Sequence, residues 1–224
     1  MLSDLELMKI HASVLFQHNT ENRITYVNES PFDEAPRVYI GGTKDGYVVR
    51  YLRSLSEEVV KELGQTIGMD SHPPLAEIIR ILNKDREIQN VEVGPAYIFS
   101  NVKSVPTSAV KVTPFNKEIL LPNFHYTYEE LELKQPCYAI VQNGIAVSLC
   151  CSARQTDAAA EASLFTLEEY RGKGYGMEVT IAWALDVQNQ GKLALYSTSW
   201  DNFSSQTVAK KLQLRQYGMD IHIS

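Results

Sequence analysis

The residues best suited by type and spacing to do chemistry form one run, Arg171-Gly172-Lys173-Gly174-Tyr175-Gly176. It follows an apolar stretch that reads as a strand over residues 161–167. It opens a segment whose Met177, Ile181, Ala184 and Leu185 share one helical face, predicting a helix over about residues 174–190. Glycine lacks a Cβ, so the backbone there can approach a ligand closely and adopt positive φ. The first turn of a helix offers unpaired N–H groups at the positive end of its dipole, and Arg171 and Lys173 add full charge at the same place. Such a loop can hold a pyrophosphate without one long side chain for every oxygen. The bland alternative is a glycine-rich strand-to-helix turn that binds nothing.

Two familiar phosphate templates fail on spacing. A dinucleotide fingerprint needs a third glycine at the position of Met177, and a P-loop needs Ser or Thr after its lysine, where this chain has Gly174. A third pattern fits. Arg171-x-x-Gly174-x-Gly176 after a strand resembles the R/Q-x-x-G-x-G/A signature of the GNAT superfamily of acyl-CoA N-acyltransferases. Downstream, Asn202, Ser205 and Lys211-Leu212 fall where that pattern has an Asn after the next strand, then a helix ending in a Lys-Leu turn. The resemblance covers roughly the last 85 to 90 residues. It is nearest to the branch of zwittermicin-resistance-type acetyltransferases, which similarly lack a tyrosine at the place of Ala209.

The resemblance implies a fold, a co-substrate and roles. The fold is α/β (α+β), a mixed and mostly antiparallel GNAT-type sheet flanked by helices and preceded by an α/β N-terminal region. The co-substrate is acetyl-CoA, with no metal. The backbone of Leu164, Phe165 and Thr166 would pair with the pantetheine amides, and Arg171, Gly172, Lys173, Gly174, Tyr175 and Gly176 would hold the pyrophosphate. Asn202 and Ser205 would meet the pantetheine arm or the 3′-phosphate end. Transfer to an amine needs a base, and Glu161, at the start of the strand leading to the cradle, is the candidate. The family's usual general-acid tyrosine is absent, since that position is Ala209, which leaves Tyr196 and Tyr217 as weaker candidate acids or a water in their stead. The expected activity is N-acetyl transfer from acetyl-CoA to an amine of a small molecule or a protein. The alternative is a non-catalytic acyl-CoA sensor or interaction protein.

These residues need elements to position them. Strands are expected over residues 138–142, 145–151, 161–167, 193–198 and 217–223, with Asn143-Gly144 as a hairpin turn and a helix over 202–212 capped by Asp201 or Asn202. In the first half, helices are expected over residues 3–18, 56–67 and 75–82, and strands over 37–40, 47–51 and 91–99. Prolines 106, 114 and 122 interrupt an irregular stretch over residues 101–123. The reading is therefore a 1–125 N-terminal α/β region on the acceptor side and a 126–224 acetyl-CoA-binding domain. Residues 128–133 offer only a short helix before the first hairpin, so the N-terminal half must wall part of the acceptor pocket.

Composition agrees with an ordinary soluble globular protein. Of 224 residues, 44% are hydrophobic and 21% charged, enough for a sizeable core. A net charge of −6 disfavours nucleic acid and tolerates a cationic partner. No apolar run approaches the ~20 residues needed to span a bilayer, and the first residues lack the basic start of a secretory leader. Three cysteines, Cys137, Cys150 and Cys151, cannot all pair and read as buried reduced thiols in the cytoplasm. His11 and His18 share a predicted helix face, but no neighbouring carboxylate or Cys completes a metal site. Of the scattered His72, His125 and His222, His125 lies nearest the expected acceptor side.

Overall fold

A computed structural model of the protein describes residues 2–68, 73–103 and 106–224, so His72 lies outside the described residues. The chain opens with α1 (Asp4–Leu15). Ser3 caps it by accepting from the Glu6 N–H, while the Glu6 carboxylate takes the Ser3 N–H and hydroxyl. The helix stops three residues before the expected end, at Leu15. Phe16–His18 instead forms β1, paired antiparallel with β2 (Ile24–Val27) across a turn in which the Asn19 side chain accepts from Glu21 and Arg23 N–H. His18 therefore sits on a strand and shares no helix face with His11.

Next come the hairpin β3 (Val38–Thr43) and β4 (Gly46–Tyr51), then α2 (Glu57–Ile67) and α3 (Leu75–Leu82), then β5 (Val91–Ile98). After a short β6 (Val110–Lys111), α4 spans His125–Glu129, somewhat earlier than the helix expected over 128–133. The second half follows the expected order: β7 (Cys137–Gln142), β8 (Ile145–Gln155), β9 (Ala159–Thr166), α5 (Tyr175–Asn189), β10 (Leu193–Ser197), α6 (Phe203–Lys211) and β11 (Arg215–Ile223). Asn143 and Gly144 join β7 to β8 with φ of +51° and +82°, the paired positive values that suit the twist of a tight hairpin.

The long strands form one nine-stranded sheet in the order β4-β3-β11-β5-β10-β9-β8-β7-β6. Every neighbouring pair is antiparallel except β9 and β10. Strands from both halves of the chain alternate in it, since β5 lies between β10 and β11, and β3 pairs with β11. α1 covers one face through Leu7, Met8, Ala12 and Leu15, packed with Tyr39, Ala96, Leu195 and Tyr217. α5 brings the fully buried Trp183 against Phe99, Ile140, Ala160 and Tyr196 in another cluster. α2 and α3 bury Leu63, Ile78 and Ile81 with Val38, Ile40, Ile221 and Ile223. Among the described residues no helix is long and apolar enough to cross a membrane.

Candidate active site

The predicted cradle begins where β9 ends at Thr166. A 3-10 turn (Glu168–Tyr170) follows, and α5 starts at Tyr175 with Gly174 as its N-cap. Gly172 and Gly174 have φ of +77° and +85°, a region costly for side-chain-bearing residues, so the glycines let the loop turn into the helix. The first helical donors, Met177 and Glu178 N–H, both reach the Gly174 carbonyl. The N–H groups of residues 172–176 meet no acceptor among the described residues, which leaves five donors unpartnered at the positive end of a 15-residue helix. Arg171 stays at the surface and ties the loop to the strand, its Nε donating to the Thr166 carbonyl at 3.2 Å. Lys173 Nζ lies 4.6 Å from the Tyr170 ring centroid. Tyr175 OH accepts from Gln142 Nε2 at 3.4 Å, and a Cβ on Gly176 would come within 3.4 Å of Thr166 Oγ1. Thr166 Oγ1 is 2.8 Å from Ser148 Oγ.

Beside the cradle the sheet comes apart. β9 and β10 run parallel only through Leu193↔Ala159, Ala194↔Ala160 and Leu195↔Glu161. Beyond Glu161, β9 continues to Thr166 paired with β8 alone, while Tyr196 and Ser197 of β10 pair with Tyr97 and Ala96 of β5. The strand edges diverge, and a cavity of about 730 Å³ opens there, walled by Ala162 to Leu164, Tyr196 to Asn202, Ser205 and β5. The chain after β10 crosses β5 at Gly94, where a Cβ would stand 1.7 Å from the Thr198 carbonyl oxygen. Only glycine permits that passage. Trp200 N–H then donates to the Val93 carbonyl at 3.0 Å. Asn202 lines the cavity and caps α6, its Oδ1 accepting the Ser205 N–H at 3.1 Å. Phe165 is half exposed and packs edge-on against Phe124, with centroids 5.9 Å apart.

Glu161 is buried at the point of divergence, 4% exposed. Its Oε1 accepts from both the N–H and the hydroxyl of Ser197, at 2.6 and 2.7 Å. Its Oε2 faces His11 Nε2 at 3.4 Å. Glu161 is not on the cavity wall, but Ser197 is. His11, carried in by α1, is wholly buried, and its Nδ1 lies 3.9 Å from Asp220 Oδ2 on β11. Asp220 also stands 3.6 Å from His222 Nε2. Burial works against charge on His11, but Glu161 and then Asp220 outweigh it and its pKa is raised. Burial likewise opposes charge on Asp220, yet His222 and His11 hold its carboxyl below the usual range.

The sequence did not mark His11, Asp220 or His222 as a group. Their partners are far apart along the chain and meet only because α1 lies across β9 and β11. The two candidate acids part company. Tyr196 lines the cavity and packs with the buried Ala209, its hydroxyl donating to the Ser205 carbonyl at 3.4 Å, and burial pushes its pKa up to about 12. Tyr217 lies under α1 beside His11, off the cavity wall, with its hydroxyl buried and without a partner among the described residues. His125 is exposed and paired with Glu129, also off the wall. The three cysteines are buried and free, and burial raises the Cys150 and Cys151 thiols, the latter to about 12, which suits inert packing.

No family model and no curated protein matches the sequence. Solved structures do resemble it. A GNAT-family acetyltransferase from Colwellia psychrerythraea superposes with a TM-score of 0.51 over 100% of this chain and 97% of its own, at 10% identity. A protein from Novosphingobium aromaticivorans assigned to the same family gives 0.50 over 61% of this chain at 15% identity. The match takes in 66% of that protein, just under two thirds of its length. Identities this low speak for architecture alone: the protein has the fold of the GNAT acetyltransferases.

Proposed function

We propose that the protein is an N-acetyltransferase that moves the acetyl group of acetyl-CoA onto an amine. The observation that carries this reading is the divergence of β9 and β10 beside the unpartnered N–H groups of residues 172–176. A pyrophosphate fits those donors, with Arg171 and Lys173 adjacent, and a pantetheine arm fits along the free edge of Leu164, Phe165 and Thr166. Asn202 and Ser205 would meet the pantetheine arm or the 3′-phosphate end from the far wall. Residues 1–125 would serve the acceptor side and 126–224 the acetyl-CoA side, which agrees with Leu15 and Asn90 to Gly94 lining the cavity. A place in the zwittermicin-resistance-type branch rests on Ala209 alone.

Bound acetyl-CoA supplies the thioester, and the chain's own groups handle protons and position. An acceptor ammonium must lose a proton before its lone pair can attack. Ser197 carries that proton inward, because the residue lines the cavity and its hydroxyl already donates to Glu161. The N–H near Phe165 polarises the acetyl carbonyl. Tyr196, kept protonated by burial, exchanges its hydrogen bond to the Ser205 carbonyl for one to the departing sulfur. The acceptor ends as an acetamide, coenzyme A leaves as the thiol, and one proton is released.

Thiol release from acetyl-CoA in the presence of pooled amines tests the reading. Binding of acetyl-CoA with no thiol release in any pool would turn it toward the acyl-CoA sensor. Glu161→Gln should lower turnover about 10²–10⁴-fold with acetyl-CoA affinity unchanged, and the deficit should shrink at high pH, where the amine deprotonates unaided. An unaltered pH–rate profile would remove Glu161 from the reaction.

A further inference from the structure

Among the described residues, Arg154 is the one arginine or lysine on the wall of the cavity. The same residue lines a second recess, of about 400 Å³, together with Glu29, Ser30, Asp33 and Tyr126. It stands on β8 where the ladder to β9 shifts register between Ser152 and Arg154, an irregularity of the kind that re-aims a side chain. Past the shift Arg154 pairs with Glu161, so both project to the face of the sheet where α1 brings His11 to Glu161. A fixed carboxylate orients the guanidinium. Its Nε donates to Glu29 Oε2 at 3.1 Å, and the buried Lys134 takes the other oxygen of Glu29. Asn28 pins that segment, its Nδ2 donating to the Val14 carbonyl at 3.0 Å and the Gln155 carbonyl at 3.2 Å. The two terminal nitrogens of Arg154 hydrogen-bond to nothing among the described residues, and neither is buried. An arginine held by Nε alone presents the rest of its planar fork, which matches the two oxygens of a carboxylate.

The other charges of the wall lie away from it. Glu92 on β5 and Asp220 on β11 are separated from Arg154 by β9 and β10, and Asp201 follows β10. The cavity is therefore bipolar, with carboxylates toward β5 and β11 and one open guanidinium at its β8 end. We infer that Arg154 is a specificity-determining residue of the acceptor site. It binds a carboxylate, so the amine acceptor is one that also carries a carboxylate group. This deepens the acetyl-transfer reading and rests on it for the reaction, although the binding step needs no coenzyme A. Arg154 lies directly across from Glu161, with about 5 Å between neighbouring strands. A carboxylate anchored there puts the rest of a compact acceptor beside the point where β9 and β10 diverge.

The probe is propionate, titrated into the full-length protein while NMR follows the Arg154 Nε–H signal and the Leu15 methyl signals, Leu15 being on the same wall. Propylammonium and 1-propanol serve as shape-matched controls, and inorganic phosphate as a rival anion. Propionate should shift both residues saturably, and the two controls should not. Arg154→Gln, read at Leu15, should weaken propionate at least about tenfold, as expected for loss of a charge-assisted contact, and Arg154→Lys should recover part of it. Unchanged propionate binding in Arg154→Gln, or tighter binding of phosphate than of propionate, would overturn the inference. Acetyl-CoA affinity falling in step with propionate affinity would place Arg154 on the cofactor and overturn it too. Should Arg154→Gln not fold, Arg154→Lys and the contrast of propionate with its controls on the wild-type protein decide. Thiol release with pooled amines in a protein indifferent to propionate would remove this subsite and keep the acetyl-transfer reading. Propionate binding at Arg154 without acetyl-CoA binding would do the reverse.

Discussion

Replacing His11 with leucine removes the cation between two buried carboxylates and should destabilise the protein in a pH-dependent way. His11 is wholly buried, Glu161 and Asp220 are 4% and 5% exposed, and each carboxylate has one oxygen with no hydrogen-bond partner among the described residues. Removing one member of such a buried set costs about 3–5 kcal/mol, a large part of the ~5–15 kcal/mol that holds a typical domain folded. The pH dependence has a definite sign. The folded pKa of His11 is raised above 6.5, so its stabilisation is fully present below about pH 6.5. It is lost as pH rises through the folded value, where imidazole becomes neutral in both states. Asp220 acts at the other end. Its depressed pKa contributes above about pH 3.9 and fades as pH falls. Urea unfolding of the wild type and His11→Leu between about pH 5 and 9 should show the largest gap near pH 5–6.5, narrowing toward alkaline pH. Parallel stability profiles across that range would refute the ion-pair reasoning, and a cost below about 1 kcal/mol would refute the burial reasoning.

The two tyrosines should separate cleanly. Tyr196→Phe should slow turnover with thioester substrates, whereas Tyr217→Phe should leave turnover unchanged and raise stability by up to about 1 kcal/mol, because it deletes a buried hydroxyl that has no partner among the described residues; equal kinetic effects would remove Tyr196 as the acid. The fragment 126–224 should fail to melt cooperatively, since it lacks β5 between β10 and β11 and β3 beyond β11, and α1 over Leu195 and Tyr217. A soluble fragment stabilised by acetyl-CoA would show instead that the second half stands alone.

Local signals in this sequence were readable where the physics is local. Asn143-Gly144 predicted its hairpin, the Asp201-Asn202 pair a cap that Asn202 makes, and Gly172 and Gly174 a strand-to-helix turn with positive φ. The β7-β8-β9-α5-β10-α6-β11 succession was legible from periodicity and motif together. What failed was non-local. Phe16, apolar and helical in its spacing, leaves the helix because β2 offers a strand partner and Tyr39 and His222 offer rings to pack on. The insertion of β5 between β10 and β11 has no local signature, since pairing of distant strands is decided by the whole sheet. Gly94 carries no local signal in the sequence, and its need appears only once the Thr198 carbonyl is seen crossing it. The His11, Glu161 and Asp220 group was invisible for the same reason: a lone histidine on an apolar helix face gives no hint of the carboxylates that two distant strands bring to it.

Acetyl transfer as proposed requires the loop at residues 172–176 to hold the acetyl-CoA phosphates, and calorimetry with Gly174→Val addresses that requirement directly. A Cβ at Gly174 meets no atom within 4 Å, so the substitution adds no clash to the core. A β-branched residue at φ +85° carries roughly 1–3 kcal/mol of strain and would turn the loop's N–H groups away from a bound phosphate. Acetyl-CoA titrated into the wild type should bind at one site per chain. The variant should melt cooperatively and show no measurable binding. Undiminished affinity in the folded variant would contradict the cradle assignment, and with it the acetyl-transfer reading built upon it.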